Sequence, residues 1–300
     1  MTGPFRPSEE VRAALDEGRP VVALETSVLA QGLPAPRNLE AGAAMELAVR
    51  RGGAVPAWVA VEGGAVLIGA TGEELERLAS AGGAVKVARR DLPVAVASGL
   101  LGATTVSAAL WAAHRVGIEV LATGGIGGVH PGTGDVSADL GELARTAGLV
   151  VCSGPKSIVD PVATAERLEE LGVALVGYRC HRLPFFLVRE APVELEHRVE
   201  TPEEAARVAD ARRDLGVGAA VLLCNPIPEE AAMEAGAVAA AAEACQREAE
   251  RLGVRGKAVT PFLLACLAER TGGASLEANL VLLEANAELA GRVARALAEG

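Results

Sequence analysis

Residues 149–177 read LVVCSGPKSIVDPVATAERLEELGVALVG and contain a complete strand–helix–strand unit. The apolar run Leu149–Cys152 predicts one buried strand, and Ala174–Gly177 predicts a second. Between them, Pro161–Leu171 predicts a helix. Two successive strands that are joined through a helix normally run parallel, because the connection has to cross the sheet. This stretch therefore indicates an α/β fold.

The same alternation continues on both sides of this unit. Further strands are predicted at Pro20–Leu24, Val55–Val61, Ala65–Gly69, Val85–Ala88, Glu119–Ala122 and Ala219–Cys224. Helices are predicted at Asn38–Arg51, Thr104–Val116, Ala138–Ala147, Pro202–Leu215, Glu229–Leu252, Pro261–Arg270 and Leu276–Glu299. The pattern predicts a three-layer α/β/α sandwich, with a mainly parallel central sheet that a hairpin at the turn Glu62–Gly64 makes mixed. No linker or repeat divides the chain, so residues 1–300 are expected to form a single catalytic domain.

Composition excludes several classes of protein. Half of the 300 residues are hydrophobic, yet no apolar run approaches the roughly 18–20 residues of a membrane span. The first 20 residues lack the pattern of a signal peptide, so we expect a cytoplasmic protein without a membrane partner. The net charge of −11 argues against nucleic-acid polymers as partners, because they require an electropositive face.

Five scattered cysteines bear on the redox state of the chain. Their number is odd and their spacing unpaired, which favours neither a disulfide framework nor a zinc cluster. We therefore expect reduced thiols.

Lysine is scarce in this sequence. Only three of the 28 basic residues are lysines, namely Lys86, Lys156 and Lys257. An amine can lose its proton and attack a carbonyl group, whereas a guanidinium cannot, so lysine is retained where arginine cannot serve. Codon bias explains the scarcity equally well when composition is taken alone.

Position along the chain favours a functional explanation. Glu25 directly follows a predicted strand, Lys86 lies within or at the end of one, and Asn225 directly follows another. Lys156 comes four residues after Cys152, which ends a predicted strand. In parallel sheets, ligands bind beyond the carboxyl ends of the strands, so these polar groups are expected at one edge of the sheet.

The segment SGPKS, residues 153–157, presents the most specific local signal. A lysine in a Gly-Pro turn behind an apolar strand is partly desolvated, and desolvation together with a second cation favours the neutral amine. A solvated loop lysine is the alternative, and it fits poorly in a chain that otherwise uses arginine. We interpret Lys156 as a nucleophile.

Three other motifs leave alternatives open. The loop Thr123–His130 contains four glycines that permit close backbone approach to a ligand, but such a loop forms nearly as readily without a ligand, and His130 is more often structural. Gly102–Val106 is either a phosphate site at a helix start or a plain Thr N-cap. Asp135 and Asp139 are either ligands of Mg²⁺ or Mn²⁺, or part of a helix cap.

Eight segments in order resemble the pseudouridine-5′-phosphate glycosidase family, also called the indigoidine synthase A-like family. They are VALETS (22–27), KVARRDLP (86–93), GATTV (102–106), ATGGIGGVH (122–130), DVSADL (135–140), KSIVD (156–160), NPIPEE (225–230) and TPFLL (260–264). The similarity extends from about Arg19 to Asn286, which is nearly the whole chain.

The resemblance implies reversible cleavage of a C–C glycosidic bond, giving uracil and ribose 5-phosphate from pseudouridine 5′-phosphate. It implies Lys156 as the nucleophile, Glu25 as the proton donor, and Asp135 as the ligand of a divalent metal, usually Mn²⁺, with no organic cofactor. It also implies a homotrimer. The positions that match substrate contacts in the family are Lys86, Val106, His130, Ser137, Ala138, Asp139 and Asn279.

Two other functions remain compatible with the sequence. One is a different Schiff-base enzyme, such as a sugar-phosphate aldolase or lyase, that uses the same lysine on another substrate. The other is a regulatory protein that binds sugar phosphates without catalysis.

Overall fold

A computed structural model of the chain describes residues 3–80, 82, 84–132 and 134–300. The expected domain of residues 1–300 also includes five residues that lie outside these ranges, namely Met1, Thr2, Ala81, Gly83 and Thr133. The strands are Phe5–Pro7 (β1), Val21–Glu25 (β2), Val55–Glu62 (β3), Ala65–Ile68 (β4), Val85–Val87 (β5), Gly102–Thr104 (β6), Val120–Ala122 (β7), Leu149–Cys152 (β8), Ala174–Tyr178 (β9), His197–Val199 (β10) and Val221–Cys224 (β11). The α-helices are Glu9–Asp16 (α1), Arg37–Arg51 (α2), Gly72–Ala79 (α3), Leu92–Ala97 (α4), Val106–Arg115 (α5), Ala138–Leu143 (α6), Pro161–Glu170 (α7), Pro202–Asp214 (α8), Ala235–Arg251 (α9), Val259–Arg270 (α10) and Ala274–Glu299 (α11).

These strands form one mixed sheet. Its main path runs β1-β4-β3-β2-β7-β8-β11-β9-β10, and β6 and β5 extend from β3. The strands from β3 through β10 on this path pair in parallel, whereas β4 and β6 are antiparallel to β3. The mainly parallel, mixed sheet is therefore confirmed, and so is the hairpin, in which Glu62 pairs with Ala65.

Alternation along the buried strands produces two apolar layers. On β2, Leu24 packs in one core with Met45 of α2 and Leu282 of α11. Its neighbour Ala23 belongs to a second core, which includes Leu110 of α5. Successive side chains of a strand point to opposite faces, so an apolar strand has both faces covered by helices. The three-layer α/β/α arrangement follows from this pattern.

The sheet has a switch point between β2 and β7. From β2 the chain continues to β3 on one side, while β7 pairs with the other side of β2. The carboxyl ends of these two neighbours diverge into different loops and leave a crevice between them, which is the usual ligand site of such sheets.

The elements that the sequence did not predict include β1, β6, β10, α1 and α4. Strands of three residues are too brief to show a periodicity of their own. In β6, the predicted helix start at Thr104 is wrong, because Thr104 ends a strand and α5 begins at Val106. The Thr104 and Thr26 hydroxyls both donate to the Val59 carbonyl, at 2.5 and 2.7 Å, and this ties β6 to β3.

The expectation of five reduced thiols is wrong for two of them. Cys245 of α9 and Cys266 of α10 form a disulfide, with their Cα atoms 5.8 Å apart. The two helices pack against each other as a hairpin, which brings together residues that are 21 positions apart. Cys152, Cys180 and Cys224 are unpaired thiols. Among the described residues, no helix is both long enough and apolar enough to cross a bilayer.

Candidate active site

The catalytic, substrate-binding and metal-binding residues expected from the sequence line one cleft beyond the carboxyl ends of β2 and β7. They are Glu25, Lys86, Val106, His130, Asp135, Ser137, Ala138, Asp139, Lys156 and Asn279. They come from six separate segments of the chain. Asn225, which was also expected at this edge of the sheet, does not line the cleft and donates to Asn286 instead.

Glu25 is a carboxyl group almost removed from water. It is the last residue of β2 and only 5% exposed. The Ser27 hydroxyl and the Val28 amide donate to its Oε2, at 2.6 and 3.2 Å, and the Thr123 hydroxyl lies 3.4 Å from Oε1. Burial raises the pKa of Glu25, and the positive charge of Lys156 and the Ser27 hydrogen bond only partly oppose this. A carboxylic acid with a raised pKa is suited to donate a proton near neutral pH.

Lys156 extends from the turn after β8 toward the glycine-rich loop after β7. Its Nζ donates to the Gly125 carbonyl at 2.5 Å, and its backbone amide donates to the Ile126 carbonyl at 3.0 Å. The side chain is half-buried. Lys156 therefore does not extend into bulk solvent. It lines the same cleft as Glu25 and Asp135.

Lys86 is the second lysine of the cleft. It lies on β5 and is half-buried. Burial lowers the pKa of Lys86, and the charge of Lys156 lowers it further, while Asp139 and Glu25 oppose the shift. The two lysines thus interact electrostatically across the cleft, which is suited to an anionic ligand.

Asp139 is buried and holds two parts of the cleft together. Its Oδ1 accepts from the Ser107 amide of α5 at 3.1 Å, and its Oδ2 accepts from the Gly127 amide at 3.0 Å. Ser137 caps α6, because its hydroxyl accepts from the Asp139 amide at 3.2 Å. Asp135 precedes this cap and is exposed at the cleft. Asp139 lies in α6, whereas Asp135 lies before the helix, so the two aspartates do not share one helix face.

The glycines of the loop after β7 are explained by packing against protein atoms. A Cβ on Gly125 would lie 2.7 Å from the Phe186 ring and 2.9 Å from the Gly154 carbonyl oxygen. At Gly124 it would lie 3.0 Å from Leu283. Of the two explanations that the sequence left open, tight packing accounts for these glycines. The loop is thereby pressed against the turn that carries Lys156.

Asn286 joins several of these loops, and the sequence analysis assigned it no role. This fully buried amide of α11 donates to the Thr123 carbonyl at 2.9 Å and to the Ser153 hydroxyl at 3.1 Å. Its oxygen accepts from Asn225 at 3.0 Å. Loops after β7, β8 and β11 are therefore fixed through one side chain. The signal that could have identified it is rarity, since the chain contains only four asparagines.

Three buried polar atoms of the cleft have no partner among the described residues, namely Gln31 Oε1, His130 Nδ1 and Asn279 Oδ1. His130 and Asn279 are 6% and 8% exposed. Burial lowers the pKa of His130, while the charge of Asp135 opposes this, so its neutral form is favoured. Buried polar groups normally have hydrogen-bond partners, so these three atoms are available to a bound molecule.

The start of α5 also borders the cleft. Thr105 precedes the helix without capping it, and its hydroxyl pairs instead with the Ser107 hydroxyl at 2.9 Å. The first amides of a helix carry a partial positive charge and are suited to bind an anion. Val106 is the first residue of this turn and lines the cleft.

The donor groups of the cleft limit the kind of metal ion that fits. No group of three or more His, Cys, Asp or Glu converges anywhere in the described part of the chain. Small divalent ions that retain most of their waters need only one or two carboxylates. The exposed carboxylate of Asp135 fits such a hydrated ion, and an ion enclosed by protein ligands does not fit.

Fold and cleft together define an α/β enzyme whose cleft contains two lysines and a buried carboxylic acid. The chain belongs to the family of indigoidine synthase A-like proteins, which matches residues 10–296. The family expected from the sequence is thereby confirmed.

Known relatives resemble the chain over nearly its whole length. A pseudouridine-5′-phosphate glycosidase of Caldanaerobacter subterraneus subsp. tengcongensis is 47% identical over 290 residues, which cover 96% of this chain and 94% of that protein. One from Sorangium cellulosum is 49% identical over 296 residues, covering 97% and 93%.

Two solved structures share the fold. The prealnumycin C-glycosynthase, solved in complex with ribulose 5-phosphate, superposes with a TM-score of 0.91 at 40% identity, covering 100% of this chain and 98% of that one. The indigoidine synthase A-like protein of Thermotoga maritima gives a TM-score of 0.91 at 38% identity, covering 98% and 96%.

Proposed function

We propose that this chain is an enzyme that reversibly cleaves the C–C glycosidic bond of pseudouridine 5′-phosphate, giving uracil and ribose 5-phosphate. The observation that carries the proposal is the presence of Lys156 and the buried Glu25 in one cleft of a chain whose relatives are pseudouridine-5′-phosphate glycosidases. A pentose phosphate is also the kind of ligand that the related C-glycosynthase binds. Residues 1–300 act as one catalytic domain in this proposal.

A C–C bond to uracil requires an electron sink at C1′, because carbon has no lone pair that simple protonation could use. The neutral amine of Lys156 attacks C1′, and the C1′–O4′ bond breaks as Glu25 gives its proton to O4′. The nitrogen of the new C–N bond then loses a proton to the Glu25 carboxylate, which restores the acid. Glu25 next protonates uracil C5 while the C1′–C5 bond breaks and the nitrogen electron pair forms an iminium. Water adds to this iminium and the C–N bond breaks, which gives ribose 5-phosphate and the free amine. The remaining proton returns to the Glu25 carboxylate.

The remaining cleft residues bind and orient the substrate in this proposal. Lys86 and the backbone at Val106 face the phosphate, because both supply positive charge or N–H donors. The stretch Ser137–Asp139 positions the loop over the pentose. His130 and Asn279 direct their unpartnered atoms to substrate hydroxyl or imide groups.

Asp135 is proposed to hold a hydrated divalent cation, usually Mn²⁺. When bound, such an ion supplies positive charge that orients water and anionic oxygens. Asp135 requires no further protein ligand for this, because hydrated ions complete their shell with water and substrate oxygens. No organic cofactor is required, since the lysine serves as the electron sink.

The first experiment is incubation of the protein with pseudouridine 5′-phosphate, and separately with uracil and ribose 5-phosphate. Release of uracil in the first reaction and formation of the C-nucleoside in the second support the proposal. If a pentose phosphate reacts but neither uracil product forms, a different Schiff-base lyase or aldolase is indicated.

The second experiment tests the lysine directly. Borohydride reduction in the presence of ribose 5-phosphate should attach the pentose to Lys156, as peptide mass mapping will show. K156R retains the charge but cannot act as a nucleophile, so we expect neither adduct nor turnover. A wild-type protein that binds the sugar without forming an adduct would instead be a sugar-phosphate-binding regulator.

A further inference from the structure

We propose that Lys257 and Asp91 form a latch that closes the helical hairpin α9–α10 over the cleft and thereby sets substrate affinity. Lys257 is a positioning residue in this proposal, which rests on the proposed function. The sequence analysis assigned Lys257 no role.

One ammonium group bridges two separate segments of the chain. Lys257 lies in the 3₁₀ turn Gly256–Ala258 between α9 and α10. Its Nζ donates to the Lys86 carbonyl at 3.0 Å and lies 2.8 Å from Asp91 Oδ2. The same Asp91 oxygen accepts from the Ala88 amide at 2.9 Å, so the acceptor is held in place. The turn is thus anchored to the segment that carries Lys86.

The two helices of the hairpin are joined into one unit. Its two helices pack against each other, and α9 has its main tertiary contact with α10. The disulfide Cys245–Cys266 links them covalently. Its contacts with the rest of the molecule come chiefly from α10, which packs on α11 and on the π-helical turn Val28–Gly32.

This hairpin supplies one wall of the cleft. Gly256, Thr260, Pro261 and Leu264 all line the cleft, as Lys257 does. Moving the hairpin away from Lys86 would therefore open the wall that faces the substrate. If only the closed conformation binds substrate, the apparent affinity falls in proportion to the fraction of molecules that are closed. A latch that holds the hairpin closed therefore raises the affinity.

An exposed ion pair is suited to a reversible closure. The Lys257 side chain is 47% exposed and that of Asp91 is 25% exposed. Pairs of this kind contribute little to stability, so they form and break readily. Direct contact of Lys257 with the substrate phosphate is the competing explanation, and it gives Asp91 no favourable part.

The test compares K257M, D91N and the double variant with the wild-type chain. K257M keeps the length of the side chain and removes its charge, and D91N keeps the shape and removes the charge. R77M is the matched control, because Arg77 and Glu62 also lie 2.8 Å apart with 47% and 28% exposure, and neither residue lines the cleft.

The measurements are KM and kcat for pseudouridine 5′-phosphate cleavage, and calorimetric binding of ribose 5-phosphate. Each single variant should raise KM and the dissociation constant about three- to fivefold and leave kcat within about twofold. The double variant should bind the substrate as tightly as either single variant, because each single substitution already removes the same interaction. R77M should match the wild type.

Limited trypsin digestion provides a readout that does not depend on turnover. Cleavage after Arg255, an exposed residue beside the latch, should be faster in K257M and D91N than in the wild type. Ribose 5-phosphate should slow this cleavage in the wild type more than in the variants.

Several results would overturn the latch. One is a lower substrate affinity in K257M with an unchanged affinity in D91N. Another is a loss of affinity in the double variant that equals the sum of the two single losses. The third is an equal rate of trypsin cleavage in all proteins. If the wild type releases no uracil, the proposed function fails, and the latch is then judged by sugar binding and proteolysis alone.

Discussion

Glu25 is the side chain whose surroundings most clearly alter its chemistry. Nearly complete burial favours its protonated form and raises its pKa, while the Ser27 hydroxyl and the Val28 amide, which donate to the carboxylate, oppose this shift only in part. The position of this residue at the end of a strand was visible in the sequence. Its burial was not visible, because it depends on loops that come from distant parts of the chain.

Replacing Glu25 should affect activity and stability in different ways. A group whose pKa is raised by folding stabilises the protein below its unfolded pKa and loses that contribution as pH rises through the folded pKa. E25Q does not titrate, so its thermal midpoint relative to the wild type should increase between pH 4.5 and pH 8, about the range above the ordinary glutamate pKa. Its kcat should fall about 10²- to 10⁴-fold.

The control for this measurement is E73Q, because the Glu73 side chain is 92% exposed on α3. The wild type and E73Q should keep a constant difference in midpoint over the same pH series. A constant difference for E25Q as well would show that Glu25 is not buried in its neutral form.

The loop after β7 and the turn after β8 work as one element. Ile126 and Pro155 form an isolated parallel bridge beyond the ends of the two strands, and the Lys156 amide donates to the Ile126 carbonyl. The glycines allow this close approach. A sequence shows that glycines are present, but only the neighbours in space show whether a ligand or the protein itself occupies the room beside them.

G125A tests this contact between loop and turn. The added methyl group would lie 2.7 Å from Phe186 and 2.9 Å from the Gly154 carbonyl oxygen, so the loop must shift. We expect a loss of about 1–3 kcal/mol in unfolding free energy. The kcat should fall as well, because the Gly125 carbonyl accepts a hydrogen bond from the Lys156 amine and so helps to position it. Urea denaturation and steady-state kinetics measure both effects.

G72A is the matched control, since nothing lies within 4 Å of the added atom at this first residue of α3. It should be as stable as the wild type or more so. Wild-type kcat in a folded G125A protein would contradict the role of the loop.

The disulfide determines how firmly α9 and α10 are joined. It closes a loop with a sequence separation of 21 residues, and the C245A/C266A variant should lose about 3 kcal/mol of unfolding free energy on chain-entropy grounds. Reductant should lower the stability of the wild type to that of the variant and leave the variant unchanged. Equal stability of the two proteins without reductant would show that the thiols are not joined.

We propose that the chain assembles as a homotrimer, as the resemblance to the family implies. Sedimentation equilibrium should therefore give three times the chain mass of 30.5 kDa. A mass equal to one chain at concentrations where the enzyme is active would contradict this assembly.

Residue pattern alone established the α/β/α class, the hairpin and the lysine in a Gly-Pro turn, because these depend on local periodicity and on residue rarity. Glu25, Lys86 and Lys156 were also within its reach, since strand ends in a parallel sheet meet at one edge. The site roles expected of the other seven cleft residues came from the resemblance to the family. Tertiary structure decided what local pattern cannot encode. The folded chain places Cys245 beside Cys266 and Lys257 beside Asp91, and it places Asn286 against three loops. In each case the contacting groups are remote in sequence. Their proximity follows from how layers pack around the sheet, and packing depends on the whole chain at once.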